Sequence, residues 1–297
     1  MDRLAAIRAF GRVVETGSFT RAATSMQLPN ASVTKMIQAL EASLGVRLLQ
    51  RTTRRVTVTV EGAEYYERTR SILGDLDDLE TTLVAGGSNP QGTLRVDTGG
   101  SVASGIILPK LGQFRARYPG IRVQLGVTDR TTDLIGENID CAVRSTADDG
   151  SLVVRKLGTL AFRTCATPAY LAKAGTPSVP NDILHDGHAV VGYFSARSGQ
   201  ITPLRFKVAG ATVEINATAE VVVNESNTHV AAAVSGLGLV QTLAFAADPY
   251  IASGRLVSLL DDFQPDPIPA YLVFPPGRQN IARVRVFAEW VATLFSG

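Results

Sequence analysis

The feature that most constrains the fold of this chain is a segment near its N-terminus, residues 15–55. Ser18 is a good N-cap for a first amphipathic helix, whose apolar face carries Phe19, Ala22, Ala23 and Met26. After a break at Leu28-Pro29-Asn30, a second helix is predicted from about residue 31 to residue 44, and Gly45 closes it. Its apolar residues recur at three- and four-residue spacing: Val33, Ile37, Leu40 and Leu44. Two helices joined by so short a break predict a helix-turn-helix.

The second helix also carries a row of polar residues. They lie at or near its N-terminal, outward side, and all can hydrogen-bond a base edge or a phosphate: Asn30, Ser32, Thr34, Lys35 and Gln38. This arrangement is typical of a recognition helix. The alternative is an ordinary helical hairpin with a solvated polar face, and the helix pattern alone does not separate the two interpretations.

The distribution of charge favours the recognition helix. Residues 1–58 hold nine lysines and arginines against three acidic residues, a net charge of +6, whereas the whole chain carries only +2. Residues 59–90 hold two basic and seven acidic residues. A basic patch confined to one small module beside a helix-turn-helix is typical of a DNA-binding domain, because phosphate contacts release counterions.

A basic hairpin follows the second helix. Two short strands are predicted at residues 46–49 and 56–58, around the polar turn of residues 50–55. The pattern predicts a wing. The arginines Arg51, Arg54 and Arg55 at its tip are placed to contact phosphates or a narrow minor groove, unless one of them pairs with an acid of the next helix.

At these positions the chain strongly resembles the LysR-type transcriptional regulators. The resemblance rests on Phe10 and Val14, on ETGSFTRAA at 15–23, on LPNASVTKMIQALEASLGVRLLQRTTRRVTVT at 28–59, and on Glu61-Gly62. It extends at lower detail over the whole chain. It implies a sequence-specific regulator, not an enzyme, whose promoter binding responds to a small-molecule effector. It also implies DNA contacts from Ser18, Asn30, Ala31, Ser32, Thr34, Lys35, Gln38, Arg51, Arg54 and Arg55.

The chain departs from the common family pattern at two positions of the recognition helix. The family often has Gln where this chain has Asn30, and Arg where it has Lys35. Asn can still bind adenine at two points, but Lys lacks the planar fork with which Arg reads guanine. The family's usual half-site preference therefore does not carry over directly.

From residue 60 the pattern predicts one long helix, to about residue 84. Tyr65, Thr69, Ile72, Leu76, Leu79 and Leu83 recur along it at spacings of 4, 3, 4, 3 and 4. This is a heptad seam, which favours pairing with a second helix over the alternative of packing on its own domain. In the family this helix pairs two subunits, so the dimerisation residues are predicted to be Tyr65, Ile72, Leu76, Leu79 and Leu83. The resemblance also implies a larger assembly, commonly a tetramer.

A cluster of turn-forming residues at 85–92 predicts a hinge, and strands alternate with helices after it. The predicted fold class is α/β, with an N-terminal winged helix-turn-helix, a long linker helix and a C-terminal two-lobed periplasmic-binding-protein-like domain. Strands are predicted at 93–96, 123–127, 141–143, 189–191, 219–223, 237–240 and 270–274 in a mainly parallel arrangement, with helices at 106–117, 131–136, 228–234 and 282–294. The DNA-binding domain is predicted at 1–59, the linker helix at 60–87, the hinge at 88–91 and the effector domain at 92–297. Within the effector domain, lobe I is predicted at 92–162 and 269–297, and lobe II at 163–268. Residues near Arg163 and Pro269 would then form the crossover strands.

A glycine-rich turn, Asp97-Thr98-Gly99-Gly100-Ser101, ends a strand and opens a helix. Its free N–H groups and the Ser101 hydroxyl would suit an anion such as a carboxylate, or the turn is simply a helix cap. The resemblance places further residues at the cleft, and the predicted effector site is Gly100, Ser101, Thr128, Arg144, Ser145, Tyr193, Phe194, Ser195, Asn224 and Gln241. Arg144 would pair with an acidic effector or, as a structural ion pair, with Asp129 or Asp140.

Other functions lack their motifs. The chain has no G-x-G-x-x-G after this strand and no G-x-x-x-x-G-K-S/T, and His185 and His188 lack further ligands nearby, so no catalytic residue, cofactor or metal is predicted. Cys141 and Cys165 are flanked by apolar residues and are interpreted as core thiols, with a redox switch as the less favoured alternative.

The expected partners are double-stranded DNA, a second copy of the chain and an effector, for which an anion is one candidate. The charged residues of the first 17 positions do not fit a secretory signal and no run is long enough to span a membrane, so a cytoplasmic location is expected. The competing hypothesis is a transport-type binding protein or an enzyme built on the α/β domain. The basic module, the seam and the missing export signal argue against it.

Overall fold

The computed structural model describes residues 2–51, 56–84, 90–146, 150–195 and 198–295, except for the side chains of residues 51, 71, 75 and 77–84. The chain divides into two units, Met1–Gly92 and Thr93–Gly297. In the N-terminal unit the elements are α1 (Arg3–Thr16), α2 (Phe19–Met26), α3 (Asn30–Leu44), β1 (Leu49–Arg51), β2 (Val56–Val58) and α4 (Val60–Val84).

The two predicted helices of the helix-turn-helix are confirmed as α2 and α3. The Ser18 hydroxyl accepts a hydrogen bond from the N–H of Arg21 and caps α2, while Gly45 takes a left-handed φ of 72° after α3. Helix α1 was not predicted as a helix. Its buried Phe10 packs in one core with Val33 and Ile37 of α3.

The wing is confirmed, but its first strand begins three residues later than predicted. Residues 46–48 lie outside the ladder, which pairs Leu49 with Val58 and Arg51 with Val56. The cause is Glu41 of α3, whose Oε1 accepts hydrogen bonds from the N–H groups of Leu48 (2.8 Å) and Leu49 (3.0 Å). Arg54 and Arg55, and the side chain of Arg51, lie outside the described residues.

The long helix α4 has the predicted bounds, but its first turns pack on the N-terminal unit itself. The ring of Tyr65 lies 5.9 Å from that of Phe10, and the hydroxyl of Tyr66 donates to Glu15 at 3.2 Å. Tyr65 therefore packs on its own domain, which is the alternative to pairing with a second helix. Further along, Ile72 is 62% exposed. The side chains of Leu79 and Leu83 lie outside the described part, as do residues 88 and 89 of the predicted hinge at 88–91.

The first lobe of the C-terminal unit is built from the elements before the first crossing and from those after the chain returns. A five-stranded sheet has the order β4-β3-β5-β15-β6. The elements up to the first crossing are β3 (Gly92–Thr98), α5 (Gly100–Val102), a π-helical turn (Ala103–Ile107), α6 (Leu108–Arg117), β4 (Ile121–Val127), β5 (Cys141–Arg144) and β6 (Val153–Leu160).

The second lobe is built on two three-stranded sheets, with orders β13-β7-β14 and β12-β8-β9, and a β10-β11 hairpin. Its elements are β7 (Phe162–Ala166), α7 (Pro168–Ala174), α8 (Asp182–His185), β8 (Val191–Phe194), β9 (Ile201–Thr202), β10 (Leu204–Val208), β11 (Ala211–Ile215), β12 (Val221–Val223), α9 (Ser226–Val234), β13 (Val240–Leu243), α10 (Ala244–Ala252), β14 (Val257–Leu259) and a 3₁₀ turn (Asp261–Phe263). The chain then returns to the first lobe through β15 (Ile268–Phe274), a 3₁₀ turn (Arg278–Asn280) and α11 (Ala282–Thr293).

The strands are mixed in direction, so the expectation of a mainly parallel sheet is wrong. β3 and β5 are parallel, as are β8 and β12, but β15 is antiparallel to both β5 and β6. The reason is that β15 carries the returning chain. The first crossing is a single residue, Ala161, between β6 and β7, and its carbonyl accepts a hydrogen bond from Ala244 N–H at 2.8 Å.

Two smaller expectations also fail. Residues 131–136 form no helix: the Asp133 carboxylate accepts from the N–H groups of Ile135 and Gly136, and Asn138 has a left-handed φ of 57°, which makes a turn. In the second lobe, strands β8, β12 and β13 begin two or three residues later than predicted.

Each lobe has apolar cores of its own. Leu94, Phe114 and Phe287 belong to the core of the first lobe, and Ile183, Phe206 and Leu239 to one core of the second. None of the helices in the described part of the chain combines the length and the apolar character needed to cross a lipid bilayer.

Candidate functional site

The first candidate site is the polar face of α3. Its core side buries Val33, Ile37 and Leu40, which fixes the opposite face toward solvent. Among the predicted contact residues of this helix, Asn30, Ala31, Lys35 and Gln38 are exposed, and Ser32 and Thr34 are half-buried. All six predicted contact residues of this helix are therefore at least partly exposed to solvent.

The N-terminal unit also exposes basic residues, among them Arg21, Lys35 and Arg47. Arg12, by contrast, is engaged within the unit, since its guanidinium contacts Glu15 at 2.9 Å and the Ser25 hydroxyl at 2.8 Å. Ser18 is half-buried, and its hydroxyl accepts the hydrogen bond that caps α2. This hydroxyl therefore has a structural role in addition to any contact with phosphate.

The second candidate site is a cavity of about 650 Å³ between the lobes of the C-terminal unit. Its size suits a small organic molecule. Six of the predicted effector residues line it: Ser101, Thr128, Arg144, Ser145, Tyr193 and Gln241. The remaining four are not part of the lining: Gly100, Phe194, Ser195 and Asn224.

Asp129 is a lining residue of the cavity that the sequence did not predict as part of the effector site. Its carboxylate accepts hydrogen bonds from Gly100 N–H (2.8 Å), from Ser226 N–H (2.5 Å) and from the Tyr193 hydroxyl (3.1 Å). Gly100 belongs to the first lobe, and Tyr193 and Ser226 belong to the second. Asp129 therefore links the lobes. The signal was its position directly after β4, beside Thr128, where polar groups at strand ends meet.

The carboxylates of Asp129 and Glu225 lie close to the backbone of the glycine-rich turn. A Cβ on Gly99 would lie 2.7 Å from Oδ1 of Asp129, and a Cβ on Gly100 would lie 2.0 Å from Oε1 of Glu225. A side chain at either position would therefore force one of these carboxylates to move. Next to them, the N–H of Ser101 donates to the hydroxyl of Ser226 at 2.8 Å, which adds a second link between the lobes.

Glu225 caps α9 from the second lobe. Its carboxylate accepts hydrogen bonds from the N–H groups of Asn227 (2.9 Å) and Thr228 (2.8 Å). Burial raises the pKa of this carboxyl group, but these hydrogen bonds outweigh burial and hold the pKa below its usual value. The group is consequently a stable anion at the start of α9.

Arg144 has a partner that neither alternative named. Its Nη2 lies 2.5 Å from Oδ1 of the buried Asp97, and its Nη1 donates to the carbonyl of Arg130 at 3.3 Å. The interpretation as a structural ion pair holds, but the predicted partners Asp129 and Asp140 are wrong: Asp140 pairs with Arg278 at 3.1 Å. Burial raises the pKa of Asp97, and the charge of Arg144 opposes that shift.

Gln241 and His229 also have partners within the chain. The Gln241 amide accepts from the N–H of Arg205 (2.9 Å) and donates to its carbonyl (2.7 Å), which holds β10 beside β13. His229 is buried, and its Nε2 donates to the carbonyl of Val191 at 2.9 Å. Burial lowers the pKa of His229, so the ring lining the cavity is neutral near pH 7.

The two cysteines are buried core residues. Burial raises the pKa of Cys165 to about 12, with the charge of Asp248 adding to the shift, and burial raises the pKa of Cys141 well above its usual value. Thiols in this state are poor nucleophiles, which disfavours the redox alternative. Within the described residues, no cluster of three or more His, Cys, Asp or Glu side chains is placed to hold a metal ion.

Comparison with known proteins gives two family matches that together span almost the whole chain. Residues 4–63 match the bacterial regulatory helix-turn-helix protein, lysR family, and residues 87–296 match the LysR substrate binding domain. Among curated relatives, the uncharacterised HTH-type transcriptional regulator YhjC of Escherichia coli (strain K12) is 37% identical over 98% of this chain and 97% of its own length. An HTH-type transcriptional repressor of Pseudomonas aeruginosa (strain UCBPP-PA14) is 34% identical over 100% and 93%.

A solved structure supports the same grouping over the full length. CrgA, a LysR-type transcriptional regulator from Neisseria meningitidis, is similar with a TM-score of 0.65 and 32% identity, over 99% of each chain. The α3 face, the wing and the two-lobed domain with its cavity are the parts that such a regulator needs. The chain belongs to the family of LysR-type transcriptional regulators, with a DNA-binding helix-turn-helix and an effector-binding domain.

Proposed function

We propose that the protein binds a two-fold symmetric DNA site as a dimer, with α3 of each subunit in the major groove. The observation that carries the proposal is the exposed polar face of α3, set by its buried Val33, Ile37 and Leu40 in a basic unit. Base and phosphate contacts are assigned to Asn30, Ala31, Ser32, Thr34, Lys35 and Gln38, and phosphate or minor-groove contacts to Ser18, Arg51, Arg54 and Arg55.

Dimerisation is assigned to the later part of α4. Tyr65 packs against Phe10 of its own unit, whereas Ile72 is 62% exposed, a large fraction for an isoleucine on a helix. Pairing with a second α4 would remove that apolar surface from water. Ile72 and Leu76, continued by Leu79 and Leu83, form the proposed seam, and dimers associate further into a tetramer.

The effector is assigned to the cavity between the lobes, where Ser101, Thr128, Arg144, Ser145, Tyr193 and Gln241 lie. For the domain bounds we keep lobe I at 92–162 and 269–297 and lobe II at 163–268, supported by the crossings at Ala161 and before Ile268. Since its target is DNA, the regulator acts in the cytoplasm. Effector binding shifts DNA binding only if the ligand prefers one of two arrangements of the protein.

The recognition face is tested with DNA sequences that the wild-type protein selects from a random pool. Lys35→Ala should weaken binding to a selected site by roughly 5- to 100-fold more than binding to random DNA, as a lost base contact does. The matched control is Lys173→Ala, which removes an exposed lysine from α7 of the effector domain and should leave both affinities unchanged. An equal loss on selected and random DNA would assign Lys35 to phosphate contact only.

The seam is tested by sedimentation or light scattering. Ile72→Asp should yield monomers with weak affinity for the selected site, because a buried unpaired carboxylate opposes helix pairing. Ala63→Asp adds the same charge at an exposed position of α4 outside the heptad pattern and should leave the dimer intact. Intact dimers of Ile72→Asp would rule out this part of the seam.

A further inference from the structure

The carboxylate of Asp129 occupies a position where three hydrogen-bond donors converge on the wall of the cavity. Two of them are backbone N–H groups, that of Gly100 in the glycine-rich turn and that of Ser226 at the start of α9, where the next N–H groups donate to Glu225. The third is the hydroxyl of Tyr193. Helix N-termini attract anions through their free N–H groups and their dipoles. The position is therefore an anion cradle, and a side chain of the protein fills it.

The surrounding backbone is fitted to this carboxylate. Oδ1 of Asp129 would lie only 2.7 Å from a Cβ at position 99, where the chain has glycine. Burial raises the pKa of Tyr193, and the neighbouring charge of Asp129 raises it further, so the tyrosine remains a protonated donor. The Tyr193 hydroxyl therefore keeps the proton that it donates to Asp129, and the glycine leaves room for the carboxylate.

Most other charges on the cavity wall are also matched within the chain. Arg144 pairs with Asp97 at 2.5 Å, and Arg205 pairs with Glu214 at 3.0 Å. The lining residue Asp266 pairs with Lys207. Arg130 is exposed, so solvent screens its charge. Within the described part of the lining, Arg144 and Arg205 therefore already have carboxylate partners.

Apolar side chains from both lobes make up much of the remaining wall, beside the hydroxyl groups of several Ser and Thr residues. Val143 and Leu160 line it from the first lobe, Leu204 lines it from the second, and Phe162 and Ile268 line it at the two crossings. An apolar molecule placed between them would bury its surface without leaving a charged group unpaired. The wall thus favours ligands without a formal charge.

We propose that Asp129 is a permanent internal occupant of the anion cradle, and that the effector of this protein is an uncharged, largely apolar small molecule. The proposal rests on the proposed function, in which the cavity is the effector site. It replaces the anion that the sequence left as a candidate. An anionic effector that bound to these three donors would have to displace a tethered carboxylate, which is present at an effective concentration of roughly millimolar or above. An uncharged ligand faces no such competition.

The experiment measures the melting temperature of the full-length protein and of its Asp129→Ala variant in sodium acetate and in sodium chloride at equal ionic strength. Acetate has the shape and charge of the group that the substitution removes. It should raise the melting temperature of Asp129→Ala by roughly 2–4 °C relative to chloride, and it should leave the wild type unchanged. The matched control is Asp262→Ala, which removes an exposed carboxylate outside the cavity lining and should show no response to acetate.

A second experiment uses only the wild-type protein, so it tests the proposal even if Asp129→Ala does not fold. Benzoate and benzamide are compared as ligands of equal size that differ in charge. The proposal expects benzoate to stabilise the wild type no more than benzamide does. Stabilisation by benzoate alone, or a folded Asp129→Ala variant that does not respond to acetate, would overturn it. Failure of the proposed function would look different: no small molecule of either kind would alter DNA binding, while the acetate response of Asp129→Ala persisted.

Discussion

Gly62, at the start of α4, lies against the strand that enters the wing. A Cβ there would be 2.1 Å from the carbonyl oxygen of Leu48 and 3.0 Å from the side chain of Val58. No side chain fits without a shift of the backbone, because the nearest atom is a carbonyl oxygen. The glycine therefore fixes how closely the helix approaches the wing.

The substitution Gly62→Ala should destabilise the N-terminal unit by about 1–3 kcal/mol, as overpacking does. Urea unfolding followed by circular dichroism measures the loss. The matched control lies in the same helix: a Cβ added at Gly74 would have no atom of the described residues within 4 Å. Gly74→Ala should leave stability unchanged or raise it by about 0.5–1 kcal/mol. Equal effects of the two variants would refute the role of close approach.

Cys141 and Cys165 should resist thiol reagents in the folded protein. With the pKa of Cys165 raised to about 12 and that of Cys141 also raised, almost no thiolate is present at pH 8. Ellman's reagent should react with neither thiol in native protein and with both in guanidinium chloride. Lys173→Cys, an exposed position on α7, supplies the reactive control. Rapid modification of the native wild type would restore the redox alternative.

At the scale of elements, the position of the wing depends on one side chain of the recognition helix. Glu41 of α3 accepts two backbone N–H groups, those of Leu48 and Leu49. The same helix therefore presents the polar face and holds the start of the wing. A change in the wing strand is transmitted to α3 through a carboxylate and two hydrogen bonds.

Glu41→Ala should release this contact and destabilise the wing by about 2–4 kcal/mol, because two hydrogen bonds to a charged acceptor are lost. Hydrogen exchange of the Leu48 and Leu49 amides measures the effect directly. Glu41→Gln keeps an acceptor oxygen at the same distance along the side chain, so it should show a smaller increase in exchange. Unchanged exchange in Glu41→Ala would show that the strand is held by the ladder to Val58 alone.

At the scale of the whole molecule, the buried His229 makes the stability of the effector domain depend on pH. Its pKa is lowered because burial disfavours the charged ring, while the hydrogen bond to Val191 opposes the shift. The unfolded chain therefore binds a proton near pH 6.5 that the folded chain does not yet bind. Stability from this group is present above pH 6.5 and is lost as the pH falls toward the folded pKa.

The melting temperature of the wild type should accordingly fall between pH 7.5 and pH 5.5, with His229 contributing up to about 1.4 kcal/mol for each pH unit below 6.5. His229→Gln should show a shallower decrease over the same range. His185→Gln, which changes an exposed histidine at the end of α8, should follow the wild type. Identical slopes for all three proteins would exclude His229 as a source of the dependence.

The parts of the fold that the sequence predicts are those set by local pattern. Helix α3 is predicted to within one residue because its apolar spacing and Gly45 act within the same segment. The first wing strand is misplaced because Glu41, seven residues from Leu48, satisfies backbone groups that a local pattern assigns to a ladder. Strand directions in the effector domain fail for a related reason, since they depend on where the chain crosses between lobes.

The cavity is harder to predict, since its contacts join distant positions. The Arg144 and Asp97 pair spans two strand ends, and the hydrogen-bond donors to Asp129 come from residues 100, 193 and 226. Residue types at strand ends indicate that polar groups gather there. Which of them pair with one another depends on distances that spacing along the chain does not contain.

The first crossing between the lobes is the single residue Ala161, whose carbonyl accepts a hydrogen bond from the N–H of Ala244. Its shortness limits how many different conformations the effector domain can adopt. Two short links, at Ala161 and before Ile268, leave few backbone torsions to turn, so any movement of one lobe against the other would be close to rotation about the axis through both links. The state of the domain then reduces to one coordinate, the angle about that axis. Chemically different ligands would be ranked along one scale of response, as stronger and weaker versions of the same signal.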